Sequence, residues 1–86
     1  MEVVVFRDGT ATTVAVHKVM NLVALPSVGS YVAQEPFDGT YHGGLCKVLD
    51  LFISDKKVMA RVSPPVANEA HLHDLLERGW AKGTGY

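Results

Sequence analysis

The stretch VVVFRDGTATTVAV, residues 3–16, constrains the fold more than any other part of the chain. Two runs rich in β-branched residues flank Asp8-Gly9, and Asp-Gly suits a two-residue type I′ turn because both residues tolerate a positive φ. Such a turn predicts a β-hairpin and fixes its register. Arg7 then faces Thr10, Phe6 faces Ala11, Val5 faces Thr12, Val4 faces Thr13 and Val3 faces Val14. Val3, Val5, Val14 and Val16 share one face, and Val4, Phe6, Ala11 and Ala15 share the other. Both faces are partly apolar, which predicts a position between layers or at a subunit contact.

Downstream, HKVMNLVALP is short and almost continuously apolar, so periodicity cannot separate helix from extended chain over residues 17–25. An extended segment or loop is slightly preferred, and Pro26 ends it either way. PSVGSYVAQEP reads as a turn at Gly29 leading into a strand at about residues 31–35. PFDGTYHGG, residues 36–44, packs turn formers together and reads as a loop. LCKVLDLFIS and KKVMARVS predict an antiparallel pair joined through Ser54, Asp55 and Lys56. Val58, Ala60 and Val62 point one way, and Met59 and Arg61 point the other.

PPVANEAHLHDLLERGW predicts a helix over about residues 68–78. Asn68 is the N-cap, Glu69 meets the positive end of the helix dipole, and Leu72, Leu75 and Leu76 form the apolar stripe. Gly79 supplies the left-handed residue that stops the helix, placing Trp80 for a contact back to Leu75. Residues 1–80 then form a single small domain, and residues 81–86 are expected to be a flexible tail.

Eighty-six residues leave room for one core. A chain this small buries only about 60–65% of its unfolded surface, so its stability needs support from close packing or self-association. The lone cysteine excludes an internal disulfide. Net charge is −1 and the pI is near 6.4, which argues against a domain devoted to gripping phosphates. The opening MEVVVFRDG lacks the marks of a signal peptide, and with one cysteine this predicts a reducing, cytoplasmic setting.

The cysteine lies in YHGGLCKVL, four residues after His42. A catalytic thiol needs a lowered pKa from a fixed neighbour, and nothing in the sequence fixes one. Cys46 therefore reads as a buried residue at the start of a strand, sharing a face with Val48, Asp50 and Phe52. HLHD, residues 71–74, invites a metal reading. On a helix, however, His71 and His73 lie about 200° apart and cannot share one ion. No metal or other cofactor is expected, no phosphate-binding glycine pattern is present, and no catalytic set assembles. Lys47, Lys56, Lys57 and Arg61 form one cationic group that, with Tyr31, Phe37 or Tyr41, would suit single-stranded nucleic acid. Turn lysines also keep a hairpin soluble, and the acidic pI favours that reading.

Residues 25–63 resemble SH3-like and Tudor-like small barrels. LPSVGSYVAQE is similar to their Pro-x-x-Gly-x-x-Val lead into a first strand, and YHGGLCKVLDLFIS with KKVMARVS is similar to the later strand pair. A leading hairpin and a trailing helix depart from that pattern, and the binding aromatics of peptide-binding SH3 domains are not identifiable. The layout also resembles small phage and prophage accessory proteins. The resemblance implies a binding module, although fold analogy names no ligand.

The expected fold is therefore α+β and mostly β: a bent antiparallel sheet of about five strands, with an SH3-like barrel as its implied form, and one C-terminal helix. The expected core is Val3, Val5, Val14, Val32, Val48, Phe52, Val58, Val62, Leu72, Leu75 and Leu76. The expected function is non-enzymatic protein binding, as an accessory or inhibitory protein of a mobile element. Tyr31, Phe37, Tyr41 and His42 are its contact residues, and the chain is expected to self-associate without involving a membrane. Nucleic-acid binding through the cationic group is the alternative.

Overall fold

The computed structural model describes residues 1–33 and 45–86. In chain order the elements are β1 (Glu2–Arg7), β2 (Val16–Asn21), β3 (Tyr31–Ala33), β4 (Leu45–Ile53), β5 (Val58–Ser63), α1 (Glu69–Glu77) and β6 (Ala81–Lys82). The six strands form one sheet in the order β3-β4-β5-β1-β2-β6, curled into a half-barrel. The mostly-β class with one short helix stands, whereas an all-antiparallel sheet of about five strands does not. β1 and β5 run parallel, Val4 beside Met59 and Arg7 beside Val62.

β1 lies in the interior of the sheet, flanked by β5 and β2, which suits its nearly unbroken apolar run. It does pair antiparallel with β2, but not through a two-residue turn. Arg7 pairs with Val16, Val5 with Lys18 and Val3 with Met20, so residues 8–15 form the connection. Gly9 does not take a positive φ; a Cβ there would sit 2.5 Å from the Thr13 carbonyl oxygen, so close approach is what it supplies. The loop is tied down where Val66 N–H donates to the Asp8 carbonyl and the Thr13 hydroxyl donates to the Val66 carbonyl. This register buries Val16 and Met20 and leaves Val14 about half exposed. Burying two such side chains contributes roughly 1.5–3 kcal/mol each, enough to override a local turn preference.

The β4–β5 hairpin follows the sequence closely, with Ile53 opposite Val58 and Ser54 N–H donating to the Lys57 carbonyl. One feature departs from simple alternation. Val48 pairs with Val62 and Asp50 with Arg61, leaving Leu49 as the extra residue of a β-bulge. The bulge inverts the facing of every later residue. Leu51 consequently packs against the core, and Phe52 turns to the opposite face, where it is 51% exposed.

The core fills the concave side of the sheet under α1. It joins Val3, Val5, Val16, Met20, Val32, Cys46, Val48, Ala60, Val62 and Val66 to Leu72, Leu75 and Trp80. Val58 and Leu76 pack against it only partly buried, and Val14 and Phe52 lie outside it. Residues 81–86 differ from a flexible tail in that β6 pairs with β2, and Gly83 N–H donates to the Ala15 carbonyl.

α1 carries the caps its sequence predicts. Asn68 Oδ1 accepts from His71 N–H at 2.8 Å. At the other end Trp80 N–H donates to the Leu75 carbonyl and Gly79 N–H to the Leu76 carbonyl, a Schellman motif closed by Gly79 at φ +96°. Any Cβ at Gly79 is strained by that φ. Gly79→Ala should therefore cost about 1–2 kcal/mol. Thermal unfolding followed by circular dichroism should show a melting temperature lower by roughly 4–16 °C.

Candidate binding surface

Beneath the helix, the sheet holds a polar group that sequence reasoning did not single out. Arg7 ends β1 on the same face as Val3 and Val5 and is fully buried. Its Nη2 donates to Cys46 Sγ at 2.9 Å, its Nη1 donates to the Pro64 carbonyl at 3.2 Å, and its guanidinium carbon lies 4.9 Å from the Trp80 ring centroid. The alternation that turns Val3 and Val5 inward along β1 turns Arg7 inward as well. Desolvation lowers the Arg7 pKa, partly offset by Cys46.

Cys46 is the second residue of β4 and is wholly buried. Loss of solvent pushes its pKa up, and the neighbouring guanidinium only partly opposes this. An inaccessible thiol with a raised pKa is a poor nucleophile, which supports a packing role at the start of the strand. His71 is buried and its Nδ1 accepts from Ala67 N–H, bracing the chain just before the helix, whereas His73 is exposed. The two histidines therefore diverge, and no group of three His, Cys, Asp or Glu side chains suited to a metal ion occurs among the described residues.

The four cationic residues do not assemble. Lys47 lies opposite Tyr31 at the β3 end of the sheet, while Lys56 and Lys57 sit at the distant β4–β5 turn. Arg61 stands between them, bridging Asp8 and Asp50, and those two acceptors raise its pKa. Its charge is thereby engaged within the protein.

The convex face of the sheet carries the most distinctive surface. Phe52, Met59, Val4 and Val19 follow one another across β4, β5, β1 and β2. This is an apolar row on four adjacent strands, where a solvated face would ordinarily be polar. The next row, Asp50, Arg61, Phe6 and His17, is mostly charged or polar, yet Phe6 leans toward Phe52 with ring centroids 6.2 Å apart. Phe6 and Met59 are buried although neither belongs to the inner core, so this face builds a small apolar cluster of its own.

Residues 83–86 cross this face as a strap. His17 Nδ1 donates to the Gly83 carbonyl, and Lys57 Nζ donates to the Gly85 carbonyl. A Cβ on Gly85 would lie 2.7 Å from Val4 Cγ1 and 2.8 Å from the His17 ring, so glycine is what lets the strap lie flat. Both ends of the row remain open, with Phe52 51% and Val19 53% exposed. Tyr31, also on the convex face, is 53% exposed beside Val23 and Leu25 at the β3 edge. Phe37, Tyr41 and His42 lie outside the described residues. The inward-facing set gave no sequence hint of the row, because its Phe52 member depends on the bulge.

Two measurements check the account of Cys46. Native protein should resist alkylation and react only on unfolding. Because the folded pKa is raised above the unfolded one, Cys46 should also make stability fall as pH rises past the ordinary thiol value of 9.0. Cys46→Ala should flatten that alkaline decline in pH-dependent denaturant melts; an unchanged slope would place its cause elsewhere. Comparison with protein-family models, curated proteins and solved structures returned no match, so the reading of this surface rests on its residues.

Proposed function

We propose that the protein is a non-enzymatic protein-binding module that engages its partner through the convex face of the sheet. The observation that carries this is the row Phe52–Met59–Val4–Val19, apolar across four strands and open at both ends. Phe52 and Val19 are apolar side chains left half in water at the two ends of a shielded row, and apolar side chains are what interfaces bury at their centres. Tyr31 at the edge of the same face adds an aromatic anchor. The binding role implied by the resemblance to SH3-like and Tudor-like barrels agrees with this reading. An accessory or inhibitory role of the kind mobile-element proteins play, acting by occupying a partner's surface, is the form it takes.

Nucleic-acid binding has less support. Arg61 is paired with Asp8 and Asp50, and Lys47 is far from the turn lysines. Self-association through the same face belongs to the proposal and predicts a concentration-dependent mass in light scattering.

Phe52 and Val19 are about half exposed, so a polar substitution should cost about 1–2 kcal/mol at Phe52, which packs on Phe6, and less at Val19. The double variant V19S/F52S should melt below the parent and still unfold cooperatively, which circular dichroism checks. It should lose the protein that the parent captures stoichiometrically from host lysate and retains through a high-salt wash. Equal capture by parent and variant would remove the convex face from the interface.

A further inference from the structure

One piece of polypeptide is already seated on the convex face, and its contacts are those of a bound peptide. The ladder between β6 and β2 ends at Lys82, and the strap then crosses β2 and β1 toward Lys57, the residue before β5. Two side chains of the sheet hold it by its backbone. His17 Nδ1 donates to the Gly83 carbonyl at 2.9 Å, and Lys57 Nζ donates to the Gly85 carbonyl at 3.1 Å. Gly83 and Gly85 take φ values of +98° and +77°, so both positions favour glycine. At the second there is also no room for a side chain, because a Cβ would lie 2.7 Å from Val4 Cγ1 and 2.8 Å from the His17 ring.

The strap puts few side-chain atoms of its own out of water. Thr84 is exposed, and Tyr86 is 96% exposed. Few contacts therefore oppose its release. What lies beside and beneath it is apolar: Gly85 rests on Val4, and Thr84 stands next to Phe6, Phe52 and Met59. Phe6 and Met59 are only 8% and 5% exposed, although no second layer of structure packs on this face among the described residues. With the strap lifted, the row from Phe52 through Met59 and Val4 to Val19 would be continuous.

We propose that residues 83–86 are an intramolecular pseudo-ligand, and that the groove between His17, Val4 and Lys57 is a receptor for a glycine-x-glycine segment of a partner protein, which binds by displacing them. The inference rests on the protein-binding reading above and adds the segment recognised and its regulation in cis. The seated residues select the occupant. Two donors read carbonyls two residues apart, and the Val4–His17 floor admits glycine at the second of them. The short tether gives the strap a high effective concentration, so it competes with any segment arriving in trans. A strap that is down about nine-tenths of the time weakens such a competitor about tenfold.

The test uses the whole chain, isotopically labelled, and a blocked peptide, acetyl-Lys-Gly-Thr-Gly-Tyr-amide, which has no carboxylate to pair with the lysines. Gly85→Val should lift the strap, shifting the amides of Val4, Phe6, His17 and Met59, while melting curves show that the core still unfolds cooperatively. The peptide should return those amides toward their parental positions saturably, and bind this variant about tenfold more tightly than the parent. Adding Lys57→Met to Gly85→Val should weaken the peptide about fivefold, since the donor to its second carbonyl is gone. A peptide with alanine for its second glycine should bind at least tenfold more weakly. Equal binding by parent and Gly85→Val overturns the proposal, as does equal binding of the alanine peptide. So does loss of self-association in Gly85→Val, which would make a second copy's strap the occupant. If V19S/F52S abolishes partner capture while the peptide shows no preference for Gly85→Val, the protein-binding reading stands and this one falls. If the peptide binds as expected while V19S/F52S captures as the parent does, the groove stands and the contact at the ends of the row falls.

Discussion

A guanidinium with no solvent exposure holds the centre of this small fold. Arg7 touches four parts of the chain at once: its own strand, the start of β4 through Cys46, the segment after β5 through Pro64, and the segment after the helix through Trp80. Removing a charge from water costs several kcal/mol unless hydrogen bonds and packing replace the lost hydration. Those contacts therefore have to form together, and each is conditional on the others. The raised pKa of Cys46 follows from the same desolvated environment, so the one thiol of the protein is kept neutral by the packing that its strand completes.

Local chemistry was legible in the sequence wherever it acts through near neighbours. The N-cap at Asn68, the stop at Gly79 and the turn at residues 54–57 are each decided within about five residues, and each is where the sequence places it. The first hairpin shows the limit of that reasoning. Asp8-Gly9 favours a tight turn, but the register is chosen by whether Val16 and Met20 reach the core, and that depends on the helix and on β5. The parallel pairing of β1 with β5 joins segments more than fifty residues apart and leaves no local mark. The inward placement of Arg7 was readable in principle from the alternation of β1.

The bulge at Leu49 links fold to surface. Without it, Phe52 would follow Cys46 and Val48 into the core, as strict alternation requires, and Leu51 would face solvent. One extra residue exchanges them. Leucine goes inward where aliphatic packing is needed, and phenylalanine goes to the convex face beside Phe6. Bulges re-aim side chains in this way and bend the strand that carries them, consistent with the curl that leaves the sheet a half-barrel. The candidate site was therefore invisible to sequence reasoning for the same reason that the core assignment failed at Phe52.

The strap over that face combines two opposing demands. A sheet face with Val4, Phe6, Met59 and Phe52 in one neighbourhood gains by being covered, whereas the proposed binding role needs part of it open. Residues 83–86 cover it with little side-chain bulk. Gly83 and Gly85 take φ values of +98° and +77°, and contacts from His17 and Lys57 reach their backbone carbonyls. Both φ values lie in the left-handed region, where glycine avoids the strain that any Cβ would bring. The absence of Cβ atoms also keeps the strap close to Val4. The middle of the row is thus shielded and its ends left open, and it is those open ends on which the proposed partner contact rests.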